Sequence, residues 1–98
     1  MDRNIEQTIA ICEIAKLIKK LKTSEEVMAF LNEVLTESEI DTLSKRWRIL
    51  KMLRGGSTQR DVSSKMGVSL CKVTRGAKLL KNENSLTSKY LLKEKFNG

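Results

Sequence analysis

The sequence predicts an all-α fold of six helices, on three observations. The 98 residues contain no proline and only five glycines, at positions 55, 56, 67, 76 and 98, so few residues interrupt a helix. Apolar residues recur at spacings of three and four along most of the chain. Thr-x-x-Glu patterns, typical of capped helix starts, begin at Thr23 and Thr36. Because no stretch is structureless or low in complexity, we expect a single domain over residues 1–98.

The first predicted helix covers Ile5 to Leu21 and is apolar over an unusually wide part of its circumference. The residues of this apolar stripe are Ile5, Ile9, Ile11, Cys12, Ile14, Ala15, Leu17, Ile18 and Leu21. A helix of this kind is buried from more than one side. In so short a chain we expect another subunit to supply the second side. A contact between two helices of the same chain is the alternative.

The next two helices begin at the capping patterns. Thr23 starts a helix that we expect to bury Val27, Met28, Phe30 and Leu31. Thr36 starts a longer helix that runs through Trp47 and Leu53 and stops at Gly55-Gly56.

The segment from Thr58 to about Leu80 predicts two short helices joined by a sharp turn. Apolar pairs at helical spacing give each helix an inward face, Val62 with Met66 on the first and Leu70 with Val73 on the second. Gly67 lies between them, where the turn needs a residue free to take a positive φ. Ser69 then stands where an N-cap belongs. This register is that of a helix-turn-helix motif.

The outward positions of this motif carry side chains that can contact phosphates or base edges in a DNA major groove. The predicted DNA-binding residues are Gln59, Arg60, Lys65, Ser69, Leu70, Cys71, Lys72 and Thr74, with Lys78 and Lys81 nearer to phosphates. The chain has 19 basic and 12 acidic residues, a net charge of +7, which favours double-stranded DNA as a partner. An ordinary helical hairpin and a basic adaptor for an acidic protein or a membrane surface are the alternatives.

A polar stretch from Lys81 to Ser85 precedes the last predicted helix, which carries Leu86, Tyr90, Leu91 and Phe96.

Several classes of function are disfavoured by what the sequence lacks. There is no histidine, and Cys12 and Cys71 are far apart, which removes most zinc sites and most general-base chemistry. We expect both cysteines to be buried or partly exposed small residues. No apolar run approaches the roughly 20 residues that cross a bilayer. We therefore expect a cytoplasmic protein that is not an enzyme, with neither metal nor membrane partner.

Several short runs of residues resemble the bacterial Trp repressor family over roughly Phe30 to Phe96. They are Leu35-Thr36, Arg46 followed by Arg48-Ile49, Leu53-Arg54-Gly55, Thr58-Gln59-Arg60 and Thr74-Arg75-Gly76. One residue is missing between Arg46 and Arg54 relative to the usual family spacing. The resemblance implies an intertwined homodimer of six-helix subunits. It also implies that the dimer binds a palindromic operator when L-tryptophan, as co-repressor, fills a pocket beside each helix-turn-helix.

The resemblance also implies which residues bind the ligand. The indole would lie between Arg46 and Arg75, beside Gly76, since a planar guanidinium stacks on an aromatic ring and also binds a carboxylate. Arg75 would hold the carboxylate together with the Thr36 hydroxyl. The carbonyl of the partner subunit's Leu35 would accept from the ammonium group.

Two residues depart from the family pattern at this pocket. Leu79 stands where the family usually offers a serine hydroxyl, and Glu33 stands where an apolar residue usually lines the other subunit's share. Loss of one neutral hydrogen bond costs about 1 kcal/mol, and the Glu33 carboxylate is able to recover part of it. We expect weakened tryptophan binding. A different indole or amino-acid ligand, or a regulator independent of tryptophan, is the alternative.

Overall fold

A computed structural model describes residues 4–93, and within that range it contains α-helices and no strand, which confirms the all-α prediction. The helices are α1 (Ile5–Lys20), α2 (Ser24–Val34), α3 (Glu37–Arg54), α4 (Gln59–Met66), α5 (Leu70–Lys81) and α6 (Leu86–Lys93). Contacts divide the chain into two compact units, Met1–Ile40 and Asp41–Gly98. The expectation of a single domain stays a prediction.

The helices of the first unit begin at side-chain caps. Asn4 Oδ1 accepts from the Gln7 amide at 2.8 Å and starts α1. Thr23 Oγ1 accepts from the Glu26 amide at 3.1 Å and starts α2, as the sequence predicts. The second capping pattern is fully reciprocal. Thr36 Oγ1 accepts from the Glu39 amide at 3.1 Å, and Glu39 Oε1 accepts from the Thr36 amide at 2.8 Å.

The apolar residues of this first unit are largely exposed in the single chain. No residue of α1 or α2 is buried. Ile5 is 74% exposed, Ile11 53% and Met28 60%, so the expected burial of Met28 within one chain is wrong. Val27, Phe30 and Leu31 are only half-buried. The wide apolar stripe predicted for α1 is thus a solvent-facing surface of the isolated subunit.

The second unit has a core of its own. Val62 and Val73 are completely buried, Ile49 is 3% exposed, and the partly buried side chains of Met66 and Val68 pack against them. The prediction that Val62 and Val73 face inward is confirmed.

Leu70, the partner predicted for Val73, is 47% exposed, so its placement on the inward face is wrong. Leu70 is the first residue of α5, and Val68 in the preceding turn packs against the core.

Close packing between α3 and α5 depends on Gly76. A Cβ at this position would lie 3.1 Å from Ile49 Cγ2 and 3.4 Å from Leu50 Cδ2. The 3.1 Å distance is closer than side chains ordinarily approach, so the absence of a side chain at Gly76 lets the two helices come together. Helix α3 ends at Arg54, directly before the predicted stop at Gly55-Gly56. Gly56 takes a φ of 105°.

The last helix, α6, is fastened by a hydrogen-bonded chain and by one buried leucine. Arg54 Nη2 donates to Ser88 Oγ at 3.0 Å, and that hydroxyl donates to the Leu80 carbonyl at 3.0 Å. Leu91 is 1% exposed, as an inward residue should be, whereas Leu86 is 83% exposed and lies outside the core. The predicted contribution of Phe96 falls outside the described residues.

Candidate functional site

The two helices of the predicted helix-turn-helix motif are held in place by caps at each end. Thr58 Oγ1 accepts from the Asp61 amide at 3.1 Å and begins α4. Gly67 ends this helix in the left-handed conformation, with φ 65° and ψ 36°. Ser69 Oγ accepts from the Lys72 amide at 3.3 Å and begins α5. The roles predicted for Gly67 and Ser69 are confirmed.

A side-chain hydrogen bond also spans the turn between α4 and α5. Ser63 Oγ donates to the Val68 carbonyl at 2.6 Å, across the turn that Gly67 makes. Neither this bond nor the Thr58 cap was predicted from the sequence. A threonine three residues before Asp61 is a recognisable capping pattern. No local pattern predicts that the Ser63 hydroxyl bonds to a carbonyl five residues further along.

An exposed face of α5, here called the reading face, consists of Cys71, Thr74, Lys78 and Lys81. These residues share one side because they recur at spacings of three and four. Ser69 and Leu70, at the start of the helix, are also exposed. Arg60 and Lys65 are exposed on α4. Cationic and hydrogen-bonding groups thus reach solvent on both helices of the motif, which is the chemistry that a phosphate backbone requires.

Gln59 and Thr74 connect the two helices at the surface. Thr74 Oγ1 donates a hydrogen bond to Gln59 Oε1 at 2.9 Å, between residues 15 positions apart. Both residues were predicted to contact DNA, whereas the hydrogen bond between them was not predicted from the sequence.

A groove of about 560 Å³ lies between α3 and α5, within the second unit. We call it the α3–α5 groove. It brings together Arg46, Arg75, Gly76 and Leu79, all predicted from the family resemblance. The remaining lining residues are Asp41, Thr42, Lys45, Ile49, Leu50, Val68 and Lys72.

The groove combines an apolar interior with a cationic rim. Ile49, Leu50 and Val68 supply the apolar part. Four cations line the groove against one carboxylate, and one of them, Lys45, pairs with Asp41 at 3.0 Å. The volume falls in the usual range for small-molecule sites, about 300 to 1,000 Å³. This arrangement suits a flat apolar molecule that carries a carboxylate.

Lys72 belongs to the groove as well as to the exposed surface. On α5 it shares a side with Arg75, Gly76 and Leu79, at spacings of three, four and seven. Its predicted contact with DNA stays a prediction, and its charge also lies at the groove.

The other predicted ligand residues lie in the first unit. Glu33 is exposed near the end of α2, and Leu35 is the half-buried C-cap of that helix. Thr36 is the N-cap of α3, bonded reciprocally to Glu39. Their contribution to a ligand site stays a prediction.

Within residues 4–93, no group of three or more His, Cys, Asp or Glu side chains is placed to hold a metal ion. No helix in the same range is long and apolar enough to span a bilayer. Cys12 and Cys71 are free and exposed, so of the two expected placements, buried or partly exposed, the buried one is wrong.

Comparison with known proteins identifies relatives over most of the chain. The family model described as "Trp repressor protein" matches residues 10–95. A "Trp operon repressor homolog" of Xylella fastidiosa (strain M23) is 38% identical over 72 residues, which cover 72% of this chain and 78% of the relative. A homolog of the same description from Chlamydia caviae is 34% identical over 70 residues, covering 70% and 69%. One from Vibrio parahaemolyticus is 32% identical over 73 residues, covering 74% and 71%.

Proposed function

Because the chain belongs to the Trp repressor family, we propose that it represses transcription as a homodimer, which binds a palindromic operator when L-tryptophan occupies the α3–α5 groove. The observation that supports this proposal is that one helix carries residues predicted for both sites. On α5, Arg75, Gly76 and Leu79 line the groove, while Cys71 and Thr74 face outward.

The reading face supports the DNA-binding part of the proposal. Helix α5 begins at the Ser69 cap and presents exposed polar and cationic side chains along its length. A recognition helix places its first residues at base edges while flanking cations bind phosphates. Arg60, Lys65 and Lys78 would supply such cations.

The first unit supports a homodimer. Its helix α1 has no buried residue, and its exposed apolar side chains include Ile5, Ile9 and Ile11. A helix that exposes this many large apolar side chains is typical of a protein interface. A second copy of the same helix would cover it symmetrically, and two reading faces about 34 Å apart would then meet successive major grooves.

The α3–α5 groove supports the ligand part. Arg46 and Arg75 lie on opposite helices at its rim, where guanidinium groups would stack on an indole, and Arg75 would bind the carboxylate. The partner subunit's Leu35 carbonyl would accept from the ammonium group. Thr36 and the partner subunit's Glu33 would complete the polar contacts.

The ligand would act by bracing α5 against α3. Bound tryptophan would fill the groove and hold the reading face in one position, while the empty groove would leave α5 more mobile. A coupling of about 1–3 kcal/mol, or 5- to 150-fold in operator affinity, is enough for such a switch.

One experiment tests the co-repressor directly. Duplexes are selected from a random DNA library by the wild-type protein with 1 mM L-tryptophan, and affinity for the selected duplex is measured with and without the amino acid. We expect tryptophan to tighten binding by at least 5-fold, within the range given above for a coupled switch. Equal affinities would remove the co-repressor claim. A salt titration should show a steep slope, since phosphate contacts release counterions. Absence of any preferred sequence would favour a basic adaptor.

Leu79 supports a second candidate, a regulator of the same family that answers to a different indole or amino-acid ligand. Its side chain lines the groove and is 37% exposed, and it offers no hydrogen bond to an amino group. Calorimetric titration with L-tryptophan separates the two candidates. Measurable heat and a 1:1 ratio per subunit support tryptophan, and no binding at millimolar concentration supports another ligand.

A further inference from the structure

We propose that Thr74 serves operator recognition as a positioning residue for Gln59 rather than as a DNA contact of its own, an inference that rests on the proposed function. Thr74 Oγ1 donates to Gln59 Oε1 at 2.9 Å, and this bond joins α5 to α4 at the surface of the helix-turn-helix motif.

The two residues sit on a rigid pair of helices. Gln59 is the first residue of α4, immediately after the Thr58 cap, and Thr74 lies in the middle of α5. Val62 and Val73, one from each helix, are completely buried between the elements of the core. Because the helices are fixed by that packing, the hydrogen bond fixes the Gln59 amide relative to α5.

The direction of the bond decides what each group can offer to DNA. A threonine hydroxyl has one hydrogen, and in Thr74 that hydrogen is engaged by Gln59. It is therefore not available to a phosphate oxygen or to a guanine acceptor. The Gln59 side chain, with its oxygen engaged, still carries two N–H donors.

Gln59 accordingly presents itself to DNA as a donor. Phosphate oxygens and the N7 and O6 atoms of guanine accept such a donor, and so does thymine O4. The paired contact of glutamine with adenine requires the amide oxygen to accept from N6, and in this chain that oxygen is turned towards Thr74. Thr74 thus biases Gln59 towards acceptor groups.

The bond also reduces the cost of ordering Gln59 on binding. A free glutamine side chain is among those that lose most rotamer freedom when fixed, and a side chain already held in one conformation loses less. We expect loss of the Thr74 hydroxyl to weaken operator binding about 3- to 10-fold, in line with one hydrogen bond.

A double-mutant cycle tests the inference. The probe is the duplex selected by the wild-type protein, with a scrambled duplex of equal length as the nonspecific reference. Thr74→Val should weaken binding about 3- to 10-fold, whereas Thr74→Ser, which keeps the hydroxyl, should restore most of it. Gln59→Ala should weaken binding at least as much as Thr74→Val. In the Gln59→Ala background, Thr74→Val should add less than about 2-fold, because the residue through which it acts is already gone.

Two further variants distinguish a positioning role of Thr74 from a general loss of DNA binding. Gln59→Glu keeps an acceptor for Thr74 but removes the N–H donors, so it should lose as much affinity as Gln59→Ala. Lys78→Ala, on the reading face but not part of this bond, should cost the same factor in both backgrounds. Repeating the selection with Thr74→Val should relax the same base positions that Gln59→Ala relaxes.

The outcomes distinguish this inference from the function on which it rests. Equal losses for Thr74→Val in both backgrounds would show an independent DNA contact and overturn the inference alone, as would a Thr74→Val protein with wild-type affinity. A wild-type protein that selects no duplex would overturn the proposed function and the inference with it.

Discussion

The two units of the chain differ in how much of their apolar surface they cover themselves. In the second unit, Val62 and Val73 are completely buried and Leu91 is 1% exposed. In the described part of the first unit, no residue of α1 or α2 is buried, and Ile5 is 74% exposed. A segment with its own core holds side chains in fixed geometry, whereas exposed apolar helices require another surface. The reading face and the groove both lie in the unit that has a core.

The largest expected effect comes from placing a charge in that core. Val73→Asp puts a carboxylate where the wild-type side chain is completely buried, and an unpaired buried charge costs at least about 4 kcal/mol. Because small domains are stable by only about 5–15 kcal/mol, we expect loss of cooperative thermal unfolding and of DNA binding. Circular dichroism melting measures it. Thr74→Asp, one residue along on the exposed face, is the control and should melt near the wild type.

A charge in the first unit should act on association instead. Ile11→Asp lies on the exposed apolar face of α1, so it should leave the second unit folded but break the homodimer. We expect the dissociation constant of the dimer to rise by at least 100-fold, which corresponds to about 3 kcal/mol for a carboxylate buried at an interface. Sedimentation velocity over a concentration series measures it.

The matched control for that experiment is Lys20→Asp, on the side of the same helix that carries Glu6 and Glu13 at spacings of seven, and this variant should remain dimeric. If Ile11→Asp sediments as the wild type does, the contrast between the two units does not reflect dimerisation through α1.

Much of the second unit could be predicted from sequence because its signals are local. The residue types of Gly67 and Ser69 predict a turn and a helix cap, and helical spacing predicts the inward positions of Val62 and Val73. Leu70 shows the limit, because the spacing that pairs it with Val73 does not reveal that Val68 occupies the inward position.

The α3–α5 groove and its surroundings also include features that could be predicted from the sequence and features that could not. The family resemblance supplied Arg46, Arg75, Gly76 and Leu79, because these residues occur in recognisable short runs or at positions fixed by them. Gly76, where an added Cβ would lie 3.1 Å from Ile49, and the bond from Thr74 to Gln59 both bring together residues far apart in sequence. No local pattern encodes such contacts, so they could not be predicted from one sequence.

A smaller effect, confined to the second unit, is expected at Arg75. Arg75→Leu removes the guanidinium from the groove rim while the core stays intact, since this side chain is exposed. A charge-assisted hydrogen bond contributes about 1.5–3 kcal/mol, so tryptophan affinity should fall about 10- to 150-fold and the tryptophan response of DNA binding should disappear. Calorimetry and operator binding measure the two effects. Lys78→Leu, which does not line the groove, should keep the response, and a normal response in Arg75→Leu would show that the pocket is assigned wrongly.

The smallest effects compare one ligand residue from each unit. Leu79→Ser restores a hydroxyl where the family usually has one, and gaining one hydrogen bond to the ammonium group should tighten tryptophan binding about 5-fold, or about 1 kcal/mol. The loss of apolar contact is small because Leu79 is already 37% exposed. Glu33→Leu, in the first unit, should weaken binding by a similar factor if the partner subunit's carboxylate faces the ammonium group.

Calorimetric titration of these two variants with L-tryptophan shows which of the two units contributes to ligand binding. Leu92→Ser, on α6 and 69% exposed, removes a leucine away from the groove and should leave affinity unchanged. A gain in Leu79→Ser without a loss in Glu33→Leu would mean that the ammonium group is bound by the second unit alone. A loss in Glu33→Leu that disappears when Ile11→Asp is added would mean that the first unit acts on the ligand only across the dimer, because dissociation removes the same contact.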